Sequence, residues 1–127
     1  MTKIPFNVPY MTGQEILYIQ KAHSLGKLSG DGFSTKKCQD YLTNRLSAKS
    51  TLLTHSCTAA LEMAALLLDL KEGDEIILPS YTFVSTANAF LLRGATPVFV
   101  DIDKNTLCID IDKARQAINT NTKAIVA

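Results

Sequence analysis

The chain lacks an excess of charge of either sign. Thirteen basic and twelve acidic residues leave a formal net charge of +1. No basic stripe runs along it, so no nucleic-acid partner is expected. Cysteine is sparse: Cys38, Cys57 and Cys108 are odd in number and form no C-x-x-C pair. That spacing points away from a disulfide framework and from a zinc site, and no metal site is expected. It fits a reducing, cytoplasmic setting. Long apolar runs are missing too. The longest, residues 59–70, is interrupted by Glu62 and Asp69 and is too short to span a bilayer, so no membrane role is expected. The opening Met1-Thr2-Lys3-Ile4-Pro5-Phe6-Asn7 holds no apolar h-region, so no signal peptide is expected. There is no internal repeat, no G-x-G-x-x-G and no P-loop lysine, so a standard nucleotide loop is excluded.

What is present is core material. Of 127 residues, 46% are hydrophobic and 20% charged, enough apolar content for a soluble globular fold. Pro5 and Pro9 mark residues 1–12 as an extended arm. Residues 13–25 read as a helix. Three glycines within residues 26–32 make a loop. Ser34 looks like an N-cap, and Cys38, Leu42 and Leu46 recur every four residues, predicting a helix to about Leu46. Thr51-Leu52-Leu53 is β-prone. Residues 56–70 are apolar almost all round, predicting a helix buried on several sides. A turn at 71–74 leads to a strand at 75–78, stopped by Pro79. A helix follows at 84–93 with Gly94 as its C′ residue. A strand at 97–100 ends at Asp101, Asp110 or Asp112 caps a helix to Ile118, and a strand begins at Lys123. Alternating strands and helices predict an α/β fold with a mostly parallel sheet and flanking helices.

In such sheets ligands bind beyond the strand C-terminal ends. Three stretches then matter: 55–58, 80–85 and 101–103. Residues 54–60, Thr-His-Ser-Cys-Thr-Ala-Ala, feed a strand into a helix through small hydroxyl residues. Unpaired N–H groups at a helix start favour a phosphate. The plainer reading is an ordinary cap by Ser56 or Thr58, and for this stretch alone it is the stronger one. Tyr81 and Phe83 are candidates to stack on a planar ligand, or simply core aromatics. Asp101-Ile102-Asp103 could bind a metal or a ribose, but with no partner ligands at metal spacing Asp101 is better read as a strand-end cap in a loop. His55 is more often a polar loop side chain than a ligand. Cys57 is a candidate reactive thiol, but its better role is small bulk where backbone approaches a ligand.

Together these segments resemble the DegT/DnrJ/EryC1/StrS sugar aminotransferases, of the aspartate aminotransferase-like fold (fold type I). The matching stretches are residues 26–31 (Gly-Lys-Leu-Ser-Gly-Asp), 56–64, 73–89 and 93–103, nearly the whole chain. The opening Ile4-Pro5-Phe6-Asn7 and the Ser-Cys-Thr turn look most like the branch that makes dTDP-4-amino-4,6-dideoxygalactose for enterobacterial common antigen.

The resemblance implies pyridoxal 5′-phosphate (PLP) as cofactor. Cys57 and Thr58 match the pair that binds its phosphate, and Phe83 matches the ring over its pyridine. Gly30 and Asp31 match a loop near the substrate. A nucleotide-linked keto sugar, glutamate as amino donor and a homodimer are implied as well. So is a division of the chain: an arm and helices over about residues 1–47, then the first part of the PLP-binding large domain. The family's pyridinium-pairing Asp and Schiff-base Lys match nothing within residues 1–127, so the chain reads as an N-terminal piece without a catalytic residue. Taken alone it is expected to be inactive and to pack poorly. Two other readings stay open: a dehydratase of the same family, with His in place of the Lys, or a non-catalytic phosphate-binding module or remnant.

Overall fold

The computed structural model describes residues 3–127, which divide into two compact units, 3–53 and 54–127.

In the first unit α1 spans Glu15–Ser24 and α2 spans Phe33–Leu46. Glu15 reaches back to fix the start of α1: its carboxylate accepts from Thr12 N at 2.6 Å, Thr12 Oγ1 at 2.8 Å and Gly13 N at 2.9 Å. Gly13 adopts φ 83°, a left-handed backbone that glycine tolerates without strain. The predicted cap of α2 is corrected. Gly32, not Ser34, is the N-cap, with φ −82° and ψ −175°, and no side chain caps the helix. The first turn closes instead through Lys36 N–H to Gly32 C=O at 3.1 Å. The β-prone run at 51–53 forms no strand. Thr51 is held by a 3.0 Å hydroxyl contact with Thr43, while Leu52 and Leu53 are exposed. β-propensity describes fit to a sheet surface, and here no neighbouring strand takes up the backbone groups.

The second unit holds α3 (Cys57–Leu67), β1 (Glu75–Pro79), α4 (Val84–Leu91), β2 (Thr96–Val100), α5 (Ile111–Ala117) and β3 (Thr122–Ile125). The three strands are parallel, in the order β2-β1-β3. As the central strand β1 is covered on both faces, so Ile76, Ile77 and Leu78 are all fully buried. Ile76 and Leu78 pack with Ala65, Ala87, Ala89 and Phe90 of α3 and α4. Ile77 packs on the opposite face with Val100 and Ala114 of α5. Gly94 takes φ 85° but is not the expected C′ residue: the helix stops at Leu91 with Leu92 as C-cap, so Arg93 is C′ and Gly94 lies one residue beyond it. Asp110 is the cap of α5, accepting from Asp112 N at 3.0 Å and Lys113 N at 3.1 Å.

The helix predicted over 56–70 ends at Leu67, and only Ala65 of it is buried. Leu66 and Leu67 face solvent, so the expectation of burial on several sides is corrected. The sheet and α4 cover one flank of α3, and nothing among the described residues covers the other. No helix among the described residues is long and apolar enough to cross a membrane.

Candidate functional site

Chain connectivity decides where the helices begin. α3 passes through a short turn into the start of β1, and it packs against β1 and α4. It therefore runs antiparallel to β1. Its eleven residues rise about 16 Å, close to the length of a five-residue strand, so its N-terminus reaches the level of the β1 C-terminal end. α4 starts just after that end and runs back toward the start of β2. The topology thus directs both N-termini, each with outward N–H groups and a positive dipole end, toward the C-terminal side of the sheet.

At the start of α3, Ser56 is extended, with φ −159° and ψ 160°, and its Oγ accepts from Ala59 N at 3.1 Å. Ala60 N donates to Ser56 C=O at 3.2 Å. That leaves the N–H groups of Cys57 and Thr58 unpartnered among the described residues. The plainer reading of the hydroxyls is thus correct for Ser56, and it frees Thr58 for another role. Thr58 is half-buried and Cys57 exposed. Two backbone donors and a threonine hydroxyl form a donor set that fits a phosphate.

At the start of α4, Phe83 holds the N-cap position and its ring is 74% exposed. Tyr81 is also exposed, so neither aromatic fills core space. Thr82 Oγ1 donates to Thr86 Oγ1 at 3.0 Å across Phe83, a contact that sequence reading missed. An open aromatic face at one helix start and a phosphate-type donor set at another are the two features that a planar phosphorylated cofactor requires.

The third edge stretch is occupied by its own contacts. Lys113 Nζ lies 3.1 Å from Asp101 Oδ2, and this hydrogen bond and charge hold the Asp101 carboxyl below its ordinary range. Asp103 Oδ1 accepts from Thr106 N at 2.9 Å and Asn105 N at 2.8 Å, which lowers its carboxyl likewise. The expected loop cap is thus Asp103 and not Asp101, whose carboxylate pairs with Lys113 instead. His55 is exposed.

Gly30 and Asp31 belong to the first unit, in the loop between α1 and α2. Asp31 adopts φ 58°, and its carbonyl accepts from Lys27 Nζ at 3.1 Å. The same unit contains a cavity of about 640 Å³ lined by Tyr18, Phe33, Tyr41 and Leu42 with Lys21 and Lys37. None of the predicted site residues lines it.

Comparison with known proteins identifies the lineage. Residues 9–127 match the DegT/DnrJ/EryC1/StrS aminotransferase family. The chain belongs to that family. It is 38% identical to the spore coat polysaccharide biosynthesis protein SpsC of Bacillus subtilis, over 97% of this chain and 31% of that protein. It is 32% identical to the GDP-perosamine synthase of Escherichia coli O157:H7, over 99% of this chain and 35% of that one. Among solved structures it superposes on a Streptococcus pneumoniae sugar aminotransferase in its PLP form with a TM-score of 0.82 and 35% identity, covering 98% of this chain and 31% of that chain. An Escherichia coli GDP-4-keto-6-deoxy-D-mannose-3-dehydratase with bound hydrated PLP gives a TM-score of 0.85 and 29% identity, over 98% and 33% of the two chains. This family member therefore spans about a third of the length of its relatives. The expected α/β architecture of the PLP-dependent transferases is the one observed.

Proposed function

We propose that this chain supplies the phosphate cradle and the ring-stacking face of a PLP enzyme that aminates a nucleotide-linked keto sugar. The topology supports the reading: α4 starts just after the C-terminal end of β1 and α3 leads through a turn to its start, with the Cys57 and Thr58 donors at the start of α3 and the exposed ring of Phe83 at the start of α4. The cofactor is pyridoxal 5′-phosphate, held by its phosphate at Cys57 and Thr58 and by its pyridine against Phe83. When bound, it acts as an electron sink for the carbon that exchanges its amino group. The chain's own residues bind and orient. The N–H groups and the Thr58 hydroxyl fix the phosphate end, and the Phe83 ring fixes the plane. Gly30 and Asp31 lie near the sugar substrate.

The finer reading is a dTDP-4-keto-6-deoxyhexose substrate, glutamate as donor and a 4-amino sugar product destined for a surface glycan such as enterobacterial common antigen. The opening Ile4-Pro5-Phe6-Asn7 and the Ser56-Cys57-Thr58 turn support it. The working enzyme is a cytoplasmic homodimer in which residues 1–127 form the arm, the leading helices and the first part of the PLP-binding large domain. A second reading, removal of a sugar hydroxyl, is favoured by the fit to the 3-dehydratase structure. The test separates them. Full-length protein is incubated with PLP, glutamate and a dTDP-4-keto-6-deoxyhexose, and the sugar is analysed by mass spectrometry. A product that has gained an amine supports amination. A product that has lost a hydroxyl oxygen supports the dehydratase, and an unchanged sugar overturns both for this substrate.

A further inference from the structure

α3 and α5 each begin on a residue whose side chain caps the helix, Ser56 and Asp110. α4 does not. Phe83 stands at its N-cap with no side-chain hydrogen bond. A phenyl ring cannot accept from the first-turn N–H groups, which is why Ser, Thr, Asp and Asn dominate this position. The backbone is nonetheless in cap geometry, with φ −72° and ψ 143°, and Thr86 N donates to Phe83 C=O at 3.0 Å. A different side-chain link lies one residue further out, between the Thr82 and Thr86 hydroxyls at 3.0 Å. It brackets Phe83 from the residue before it to the residue three after it. Core packing does not fix the ring, which is 74% exposed. The hydroxyl pair satisfies no first-turn N–H and is no substitute cap; it ties the residue before Phe83 to the first turn of α4, around an aromatic that core packing does not hold.

We propose that Thr82 and Thr86 are positioning residues: their hydroxyl pair holds the turn that carries Phe83 and so aims its ring at the planar face of the cofactor. This rests on the reading that the sheet edge binds PLP. The physical gain is preorganisation. A turn that is already fixed loses less conformational freedom when the ring stacks. Valine keeps the β-branch of threonine and removes only the hydroxyl, so Thr82→Val and Thr86→Val break the pair with little change in backbone preference.

The experiment uses full-length protein and compares wild type with Thr82→Val, Thr86→Val, Thr82→Ser, Phe83→Leu and the double variant Thr82→Val/Phe83→Leu. PLP affinity is measured by equilibrium titration, and ring orientation by the induced circular dichroism of bound PLP. The two valine variants should each weaken PLP by about 2- to 10-fold, the range an aromatic stack can supply. They should also reduce the dichroism, and Thr82→Ser should restore both. In the Phe83→Leu background, Thr82→Val should cost nothing further. An equal loss in that background overturns the proposal, because the hydroxyl would then act without the ring. Wild-type affinity and dichroism in Thr82→Val also overturn it, as does a lowered apo-protein Tm with unchanged affinity. A wild-type protein that takes up no PLP instead overturns the cofactor reading itself. The clasp is then judged by ¹⁹F NMR of apo-protein carrying 4-fluorophenylalanine at position 83. A resonance changed by Thr82→Val supports it, and an unchanged one overturns it.

Discussion

Pro79 and Val100 face one another as the last paired residues of β1 and β2, and Ser80 N–H continues the contact to Val100 C=O at 2.8 Å. This single bond holds the start of the 80–83 turn against the edge of the sheet. Phe83 is thereby tied to a strand whose three central residues are fully buried. The ring is exposed, but its base is anchored to the most rigid part of the unit. A site that needs precision gains from being mounted this way.

Thr58 carries the first prediction. A charge-assisted hydrogen bond is worth about 1.5–3 kcal/mol. Thr58→Val in the full-length protein should therefore weaken PLP binding by roughly 10- to 100-fold. Equilibrium titration reads the effect. Unchanged affinity would return Thr58 to the role of a plain first-turn residue.

Phe83→Leu should loosen the cofactor more modestly, by the ~0.5–1.5 kcal/mol that an aromatic pair adds beyond burial. The ring is largely exposed, so the apo-protein Tm should hold. A large drop in Tm with normal PLP binding would make Phe83 a packing residue and remove it from the site.

Ile77 gives the opposite test. It is fully buried and joins the sheet to α5 through Val100 and Ala114. Ile77→Ala should destabilise the fold by about 2–5 kcal/mol, the usual result of deleting a large core side chain. Chemical denaturation of the variant measures this. A loss below 1 kcal/mol, on the order of a surface substitution, would mean that this face repacks freely.

These residues also show what the sequence made legible. The parallel sheet could be read because Ile76, Ile77 and Leu78 form an unbroken apolar run between the Gly73 turn and Pro79, as a doubly covered strand requires. The Ser56 cap of α3 could be read because small hydroxyl residues at a helix start are a local signal. The cap of α2 could not, since Gly32 supplies backbone geometry and leaves no side-chain pattern to detect. Thr51-Leu52-Leu53 failed as a strand because pairing depends on a partner elsewhere in the chain. The solvent-facing side of α3 was missed for the same reason: periodicity describes the helix, not what covers it. The Thr82–Thr86 pair spans an aromatic cap that no standard motif contains.

Acid should weaken the start of α1. The Glu15 carboxyl is lowered from 4.5 to about 2, by its own backbone N–H first and then by the Thr12 hydroxyl and N–H. A depressed folded-state value means the carboxylate form favours the fold. The contribution is therefore complete above about pH 4.5 and is lost as pH falls toward 2. The Thr12 and Gly13 amide resonances should shift as pH falls to about 2, and Glu15→Gln should abolish the shift. Titration of those amides near pH 4.5 in the parent protein would show that the carboxylate makes no special contacts.

The last prediction concerns the surface of the 127-residue polypeptide. Ten hydrophobic residues are buried among those described, and five of them are alanine. Alanine contributes little apolar area, so the core rests chiefly on Ile76, Ile77, Leu78, Phe90 and Val100. Against this, Leu67 is 80% exposed and Leu92 73% exposed, and both belong to the α3 and α4 segments that pack on one face of the sheet. Scattered exposed leucines are ordinary, but a small core beside many of them is not, and such surface invites association. The isolated polypeptide should bind a hydrophobic dye such as ANS strongly, sediment as more than a monomer at micromolar concentration and melt over a broad range. Replacing Leu67 and Leu92 together by Gln should reduce both dye binding and association while the helical circular dichroism is kept. A sharp, concentration-independent melt from a monomer that binds no dye would show instead that the small core suffices, and that the exposed leucines carry no consequence for folding.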